Sequence, residues 1–326
     1  TDGRWLQCDE RFDISVCSLR GRGRARFLTY HRELRRVVRE SRPEVVIAGS
    51  DALNVVIGRH VASRLRATFV ADVKDDYTAF GLTRNVPFLE RAYYRALKEA
   101  DLVTSVSRGL ETKLSSKGVA RTMVLENAVP ADFAPNVTKD EARQELGLPQ
   151  DQFLFGVAGA LRTSRDIATV LEGARQFLLK NVNASLILAG PRDENFRVPA
   201  DVFDRVRDLG KLPPARVPLL LLALDLGIIP NSRSGFADSC YPQKYLEMLA
   251  CELSVCAARV GVFGGAAKVK GVAVRYQAED AESLQSCLSV FSKAQFMEEK
   301  DANVKPQTWS GRADKLDAAV RRLCTD

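Results

Sequence analysis

The sequence predicts an α/β protein built from two doubly wound units, each a parallel sheet with helices on both faces. Short apolar, β-rich runs alternate with amphipathic stretches of helical length, which is the pattern of consecutive βαβ units. A length of 326 residues, with 46% hydrophobic and 27% charged residues, suits two globular domains. The alternation breaks at residues 129–150, where Pro130, Pro135 and Pro149 accompany a charged stretch. We therefore predict a first domain over 1–135, a second over 136–305 and a closing helix over 306–326.

The first domain is expected to begin with a strand at residues 12–17. Its further strands are predicted at 44–48, 68–72, 102–106 and 122–125. Its helices are predicted at 27–39, 52–63, 86–97 and 108–116. Because a helix separates each pair of later strands, those strands are expected to lie parallel in one sheet.

The second domain follows a linking helix predicted at residues 139–146 and repeats the alternation. Its strands are predicted at 153–157, 185–189, 206–209, 226–229, 253–257 and 272–276. Its helices are predicted at 167–179, 215–223, 243–251 and 281–292, with the final helix at 309–323. Two doubly wound domains that face each other bind ligands in the crevice at the carboxyl ends of their strands.

Several classes of site lack the residues they need. The seven cysteines include no C-x-x-C pair, and His31 and His60 are far apart, so a zinc site or a Ser-His-Asp triad has little support. No strand is followed by G-x-G-x-x-G or a Walker A motif, which removes the main support for NAD or P-loop chemistry. The longest apolar run, 217–230, is interrupted by Asp225 and is too short to span a bilayer. We expect a cytoplasmic protein with reduced thiols, no cofactor and no metal.

A basic cluster lies near the N-terminus. The net charge is +7, and the first 42 residues hold eleven arginines against six acidic residues, so the rest of the chain is close to neutral. The arginines of interest are Arg22, Arg24, Arg26, Arg32, Arg35, Arg36 and Arg39. Such a face is attracted to anionic lipid headgroups or phosphates, although a solvated helix face explains it equally well. The cluster lacks the aromatic interleaving of RRM or OB-fold proteins, which argues against nucleic acid as a partner.

The stretch at residues 227–250 predicts an anion site. A buried strand ends at Pro230, a polar loop follows, and a helix is predicted to begin near Pro242. The N-terminus of a helix offers free N–H groups and a positive dipole to an anion, and Lys244 adds a cation in the first turn. Glu247, one turn further, can accept hydrogen bonds from a diol such as a ribose. The arrangement suits a nucleoside diphosphate, but a solvated polar helix face fits the spacing at least as well.

This stretch resembles the donor-site signature of the retaining GT-B glycosyltransferases of family four, which reads P-x-K-x-x-E-x-M-A in one large subgroup. Pro242, Lys244, Glu247 and Ala250 fit that pattern. Further segments resemble the family in the expected order: 100–107 (ADLVTSVS), 125–135 (LENAVPADFAP), 155–167 (FGVAGALRTSRDI), 188–190 (LAG), 209–211 (LGK) and 308–309 (TW). Each segment is weak alone, but their order and spacing over roughly residues 44–323 make the set specific.

The resemblance implies a GT-B fold, with two Rossmann-like domains facing a central cleft and a C-terminal helix that returns to the first domain. It implies that Glu247 binds the donor ribose, and that Arg162 or Arg165, after Gly159, binds the diphosphate. It also implies four further donor-site residues and two residues near the reacting centre or acceptor. The donor-site residues are Gly210 and Lys211 at the nucleobase, and Asp238 and Ser239 where many members have a second glutamate. The residues near the reacting centre are Lys74 and Asp75, where the family often has a His-Asp pair.

The implied function is a retaining hexosyltransferase that moves a sugar from a nucleotide-diphosphate sugar to a hydroxyl of a glycan or lipid-linked acceptor. The family suggests bacterial surface polysaccharide or glycolipid synthesis, at the inner face of the membrane. The strand at 12–17 corresponds to the family's second strand, so the first βα unit is expected to be missing from this sequence. That gap, and Glu252 where the family has glycine, keep open an inactive partner subunit. A nucleotide-sugar epimerase is the other alternative, although the two histidines argue against it.

Overall fold

The computed structural model describes residues 5–9, 12–15, 25–194, 196–294 and 306–325. Its strands are β1 (Trp5–Asp9), β2 (Phe12–Ser15), β3 (Val45–Gly49), β4 (Thr68–Val73), β5 (Leu102–Ser105), β6 (Thr122–Val124), β7 (Phe153–Ala158), β8 (Ala184–Ala189), β9 (Val206–Asp208), β10 (Leu226–Ile229), β11 (Ser254–Ala258) and β12 (Val272–Tyr276). Its helices are α1 (Ala25–Ser41), α2 (Ala52–Leu65), α3 (Gly81–Asn85), α4 (Leu89–Lys98), α5 (Arg108–Ser116), α6 (Lys139–Leu146), α7 (Ile167–Lys180), α8 (Val217–Ala223), α9 (Gly235–Ser239), α10 (Gln243–Ala250), α11 (Ala281–Ala294) and α12 (Trp309–Thr325). None of the helices within these ranges combines the length and apolarity needed to cross a membrane.

The first unit is a parallel sheet in the order β3-β4-β5-β6 among the described residues. The central strands β4 and β5 are mostly buried, and Tyr93 and Leu97 of α4 pack with Val55 of α2 in the core. The helix α2 is capped at its N-terminus by Asp51, whose carboxylate accepts the N–H of Asn54 at 2.8 Å. The four later strands and the helices between them therefore occur where the hydrophobic pattern predicts them.

The strand predicted at residues 12–17 does not join this sheet. The structure pairs β2 antiparallel with β1 in a separate two-stranded sheet, with Trp5 opposite Ser15. A parallel pairing needs a crossover of a dozen or more residues, whereas two residues separate β1 from β2, so only a hairpin can join them. Its expected place as the second strand of a parallel sheet was wrong, and β1 was not predicted at all.

The second unit is a parallel sheet in the order β9-β8-β7-β10-β11-β12. The chain reverses its direction across the sheet between β7 and β10, where Gly227 pairs with Gly156. In the core, the ring of Phe155 from β7 meets the ring of Phe177 from α7 edge-on, with 5.4 Å between centroids. The reversal leaves a crevice at the carboxyl ends of β7 and β10, which is where doubly wound sheets hold ligands.

The link between the units is a well-built helix. The helix α6 begins with a capping box between Thr138 and Glu141, and it ends at Gly147, whose φ of 65° is left-handed. Arg143, which is 4% exposed, donates to the carboxylate of Asp225 at 2.7 Å and to the carbonyl of Ala223 at 2.9 Å. These contacts attach α6 to the corner between α8 and β10, so the linking helix is part of the second unit's packing.

The final helix returns to the first unit, as predicted. The N–H of Val129 donates to the carbonyl of Gln307 at 3.0 Å, and the N–H of Trp309 donates back to Val129 at 3.1 Å. Arg312, one turn into α12, reaches the carboxyl end of β4. The two units and this helix together form the GT-B arrangement that the resemblance implied.

Candidate active-site cleft

A cleft of about 320 Å³ lies between the two units, at the carboxyl ends of both sheets. The first unit contributes the loops that follow β4 and β6, and the second unit contributes the ends of β7 and β10 and the start of α10. The lining side chains that carry charge or polarity are Lys74, Asp75, Asn127, Arg165, Cys240, Tyr241, Gln243 and Lys244. The cleft therefore brings together Lys74, Asp75, Gly159, Arg165 and Lys244, which are far apart in the sequence.

Hydrogen bonds join the two units along this cleft. Three side chains of the described residues each donate to a backbone carbonyl of the opposite unit: Asn127 to Tyr241 at 3.2 Å, Gln243 to Ala128 at 2.9 Å and Ser107 to Ser239 at 2.8 Å. Close backbone packing accompanies them, because a Cβ built on Gly109 would lie 2.7 Å from the carbonyl oxygen of Asp238. The loop between α9 and α10 is therefore held against the first unit.

Tight glycine packing shapes the wall of the cleft that the second unit contributes. The N–H of Gly159 donates to Ala189, and the N–H of Gly190 donates to Gly210, each at 2.8 Å. A Cβ on Gly190, whose φ is +145°, would lie 1.7 Å from the oxygen of Gly159, so no side chain fits there. Gly159 lines the cleft, whereas Gly210 and the exposed Lys211 follow the edge strand β9, further along the sheet.

The two arginines proposed for the diphosphate lie in different environments. Arg165 closes a short 3₁₀ turn after β7 and lines the cleft. Arg162 is 55% exposed, and its Nε lies 3.8 Å from Oδ1 of Asp193. Asp166 holds the turn in place, since its carboxylate accepts the Thr169 hydroxyl at 2.7 Å and the N–H of Glu279 at 3.1 Å. The structure therefore favours Arg165 as the arginine that faces a ligand.

The helix α10 points its N-terminus into the cleft. Pro242 is the N-cap residue and, among the described residues, no side chain caps this terminus. The N–H of Tyr245 donates to the carbonyl of Pro242 at 3.1 Å, which leaves the N–H groups of Gln243 and Lys244 to an anion. Lys244 lines the cleft and forms an ion pair with Glu247, whose side chain is 11% exposed. Glu247 lies behind Lys244, as its partner, and is not itself a lining residue.

The segment before α10 differs from the sequence-based expectation. Residues 235–239, expected to be part of a loop, form α9, which packs on α5. Ser239 is buried and its hydroxyl donates to Gly235 at 3.3 Å, while Asp238 lines a separate groove with Arg233 and Arg259. Neither Asp238 nor Ser239 faces the cleft.

Cys240 and Tyr241 line the cleft instead, and sequence reasoning did not single them out. Their position directly before Pro242 is the signal that could have found them. Burial raises the pKa of the Cys240 thiol, and nearby Asp75 raises it further, so this cysteine is a neutral thiol at neutral pH.

The loop after β4, which the first unit contributes to the cleft, is fixed by a buried tyrosine. The Tyr77 hydroxyl accepts the N–H groups of Ser50 at 3.0 Å and Lys74 at 3.1 Å, and it donates to the carbonyl of Asp72 at 3.3 Å. Asp76 is buried in the same loop and forms an ion pair with Lys113 of α5. These contacts fix the backbone of Lys74 and Asp75, which face the cleft.

Burial raises the pKa of the Asp75 carboxyl above its ordinary value of 3.8; Arg165, on the opposite unit, acts against this, and Asp76 adds to it. Its charged form is therefore less favourable in the folded chain than in the unfolded chain. Stability is lost as the pH rises from the unfolded value through the raised pKa of Asp75, and the loss persists above it. A carboxylate that destabilises the folded chain in this way is typical of a functional site.

We therefore expect Asp75→Asn to raise the melting temperature at neutral pH, because asparagine carries no charge to desolvate. The gain should disappear at about pH 3, where aspartate is protonated in both the folded and the unfolded chain. Thermal melts of both proteins across this pH range are the measurement. A lower melting temperature for the variant at neutral pH would contradict the expectation.

The basic cluster is described only in part. Arg22 and Arg24 lie outside the described residues, and so does the side chain of Arg26. Arg32, Arg35, Arg36 and Arg39 are exposed on α1. Contact of this face with a membrane stays a prediction. As to metals, no group of three or more histidine, cysteine, aspartate or glutamate side chains in the described ranges could hold an ion.

Comparison with known proteins gives matches in sequence and in fold. Residues 4–128 match the glycosyl transferase 4-like domain. The putative teichuronic acid biosynthesis glycosyltransferase TuaC of Bacillus subtilis (strain 168) is 28% identical over 173 residues, which are 52% of this chain. The match covers 42% of TuaC, so the chain spans less than half of that relative.

The solved structures that are similar have low sequence identity but the same fold. A glycosyltransferase from Rickettsia africae superposes with a TM-score of 0.71 at 15% identity, covering 96% of this chain and 85% of that one. Sucrose-phosphate synthase from Thermosynechococcus elongatus gives 0.70 at 14% identity, covering 92% and 79%. Anabaena HepE, solved in complex with UDP and glucose, gives 0.70 at 17% identity, covering 88% and 80%. Residues 4–128 are thus similar to the glycosyl transferase 4-like family, and the two-sheet architecture has the GT-B fold of these solved glycosyltransferases.

Proposed function

We propose that this protein is a glycosyltransferase that moves a sugar from a nucleotide-diphosphate sugar to a hydroxyl group. One observation carries the proposal: the uncapped N-terminus of α10, Arg165 and Lys244 converge on one side of the cleft, opposite Lys74 and Asp75. A helix N-terminus with two cations is a binding site for a diphosphate, and the facing loop leaves room for an acceptor.

The donor is a nucleotide-diphosphate sugar in this proposal. Three solved complexes of Anabaena HepE contain UDP, UDP with glucose, or UDP-glucose, which supports this class of ligand. When the diphosphate binds, Lys244 turns from Glu247 to a phosphate, and the freed carboxylate accepts the ribose hydroxyls. The ion pair of the unliganded chain would thus be exchanged for two contacts with the ligand.

The chemistry is cleavage of the bond between the sugar and the diphosphate, with attack by the acceptor hydroxyl. Negative charge grows on the leaving diphosphate, and Arg165, Lys244 and the α10 dipole stabilise it in place of a metal ion. We propose that the configuration is retained, with the leaving phosphate receiving the acceptor's proton on the same face. Asp75 then orients the acceptor hydroxyl from the opposite unit.

The acceptor is proposed to be a hydroxyl of a bacterial surface polysaccharide or its lipid-linked precursor. The name of the Bacillus subtilis relative, a putative teichuronic acid biosynthesis glycosyltransferase, supports this class. The hexosyl nature of the transferred group and a peripheral position on the inner face of the membrane, through the basic face of α1, belong to the same proposal.

Thermal melts of the protein with UDP-, GDP- and dTDP-sugars test the donor site. We expect one nucleotide to stabilise the chain by about 2.7 kcal/mol at a concentration one hundred times its dissociation constant. Glu247→Ala should lose this shift, whereas the control Glu282→Ala, an exposed carboxylate on α11, should keep it. Stabilisation by none of these nucleotide sugars would contradict the proposal.

Product analysis by mass spectrometry separates the remaining alternatives. Transfer to an added glycan supports the glycosyltransferase. Donor binding with no transfer and no release of nucleotide indicates the inactive partner subunit, and conversion of the donor sugar to its epimer indicates the epimerase.

A further inference from the structure

The C-terminal helix contributes a buried arginine to the rim of the cleft. Arg312 is 7% exposed, and it lies in the first turns of the C-terminal helix α12. Its Nε donates to the carbonyl of Glu126 at 3.2 Å, and its Nη2 donates to Oδ1 of Asp72 at 3.0 Å. A buried guanidinium with these two acceptors has one defined position.

The carboxylate that Arg312 holds is shared with the cleft lysine. Oδ1 of Asp72 also accepts the Thr104 hydroxyl at 2.7 Å, while Oδ2 lies 3.6 Å from Nζ of Lys74. Within the described ranges, Arg312 and Lys74 are the cations that contact Asp72. A carboxylate already bonded to Arg312 and Thr104 attracts the lysine only loosely, so Lys74 stays 46% exposed.

Trp309 adds a second contact between the same groups. Nζ of Lys74 lies 6.0 Å from the centre of the indole ring, and the guanidinium carbon of Arg312 lies 5.8 Å from it. Both cations are within reach of the ring's negative face, which favours their present positions by electrostatic attraction. The first turn of α12 therefore fixes both the carboxylate and the aromatic ring beside Lys74.

We propose that Arg312 is a positioning residue for Lys74. Because Arg312 forms an ion pair with Asp72, this carboxylate attracts the amine of Lys74 less strongly. The amine therefore stays directed at the cleft. An effect of Arg312 on catalysis rests on the proposed function, in which Lys74 lies on the acceptor side of the cleft. This positioning gives α12 a role in the chemistry of the first unit besides its role in joining the two units.

The reactivity of the Lys74 amine tests this coupling without any activity measurement. The intact protein is acetylated briefly with sulfo-N-hydroxysuccinimide acetate, and the modification of each lysine is read by peptide mass spectrometry, with Lys117 as the internal reference. In Arg312→Met, Asp72 is left with Lys74 as its cation, so Lys74 should react at least about threefold more slowly as its ion pair tightens. In Asp72→Asn the lysine is released and should react faster. Arg312→Lys should restore the wild-type rate.

Slower labelling in Arg312→Met and faster labelling in Asp72→Asn would indicate positioning. A general loss of structure would instead speed the labelling of Lys74 in both variants. The control Arg321→Met removes an exposed arginine from the same helix and should leave Lys74 unchanged. An unchanged Lys74 rate in folded Arg312→Met, or equal acceleration in both variants, overturns the inference. If Arg312→Met does not fold, Asp72→Asn and Arg312→Lys still decide: the inference fails unless the first accelerates labelling and the second leaves it at the wild-type rate.

Kinetics link the coupling to the proposed reaction. With UDP-glucose as donor and water as acceptor, Arg312→Met should lower kcat on the order of tenfold, because a displaced group near the reacting atoms costs at least this much. The KM for UDP-glucose should change less than about twofold, because Arg312 contacts the first unit and not the donor side. An inactive wild-type chain would count against the proposed function, while the labelling result alone decides on Arg312 and Lys74.

Discussion

Replacing Arg165 with methionine is expected to lower sugar transfer by about 10²–10³-fold, the usual cost of removing one donor to a developing negative charge. Arg165 follows the end of β7 and lines the cleft, where it faces Asp75 of the opposite unit. Methionine keeps the apolar stem and removes the guanidinium, so the turn that Asp166 anchors should persist. The measurement is kcat/KM for release of nucleotide from the donor that stabilises the wild-type chain.

Arg162→Met is the matched comparison, since it removes the other arginine of the same motif. Arg162 is exposed and has Asp193 as a loose partner, so its loss should change kcat/KM by no more than about twofold. A larger loss in Arg162→Met than in Arg165→Met would reverse the assignment of the two arginines. Thermal melts of both variants show whether either change acts through folding.

Replacing Arg143 with methionine is expected to destabilise the chain by about 3 kcal/mol, at the lower end of the range for breaking a buried ion pair. The change leaves Asp225 buried without its guanidinium, and it leaves the carbonyls of Ala223 and Gln150 without this donor. The loss is moderated because Lys139 and the N–H of Leu154 still donate to Asp225. Urea unfolding, followed by circular dichroism, measures the change in the free energy of unfolding.

Lys139→Met is the control for this second prediction, because it removes the other cation from the same carboxylate and lies on the same helix. Lys139 is partly exposed, and solvent screens its interaction, so we expect a loss of about 1 kcal/mol or less. Equal losses for the two variants would show that burial of the guanidinium does not matter at this corner.

Most of the fold could be predicted from the sequence, because apolar, β-rich runs alternate with amphipathic stretches of helical length. The helix α6 is an example: the Thr138 and Glu141 capping box and Gly147 mark its ends in the sequence as they do in the structure. The hairpin of β1 and β2 could not be predicted in this way. Its strands are short. The two-residue connection makes their pairing antiparallel, and the spacing of the hydrophobic residues does not reveal this.

The site was predicted in outline but not in its contacts. The motif spacing identified α10, yet the pattern gives Lys244 and Glu247 one shared helix face and cannot say that they pair with each other. It also could not choose between Arg162 and Arg165, because three residues of a turn decide which of them enters the cleft. Arg312 was missed for a different reason: its partners Asp72 and Glu126 are distant in sequence, and an arginine on a terminal helix looks like a solvated one.

The bonds that join the two units have an evolutionary consequence. Ser107, Asn127 and Gln243 all donate to main-chain carbonyls, at Ser239, Tyr241 and Ala128. A carbonyl is present whatever the side chain, so mutations at positions 239 and 241 need not loosen the junction between the units. The side chain of Tyr241, which lines the cleft, can therefore be replaced without loss of the bond to its carbonyl, so the cleft lining can change while the two halves stay aligned.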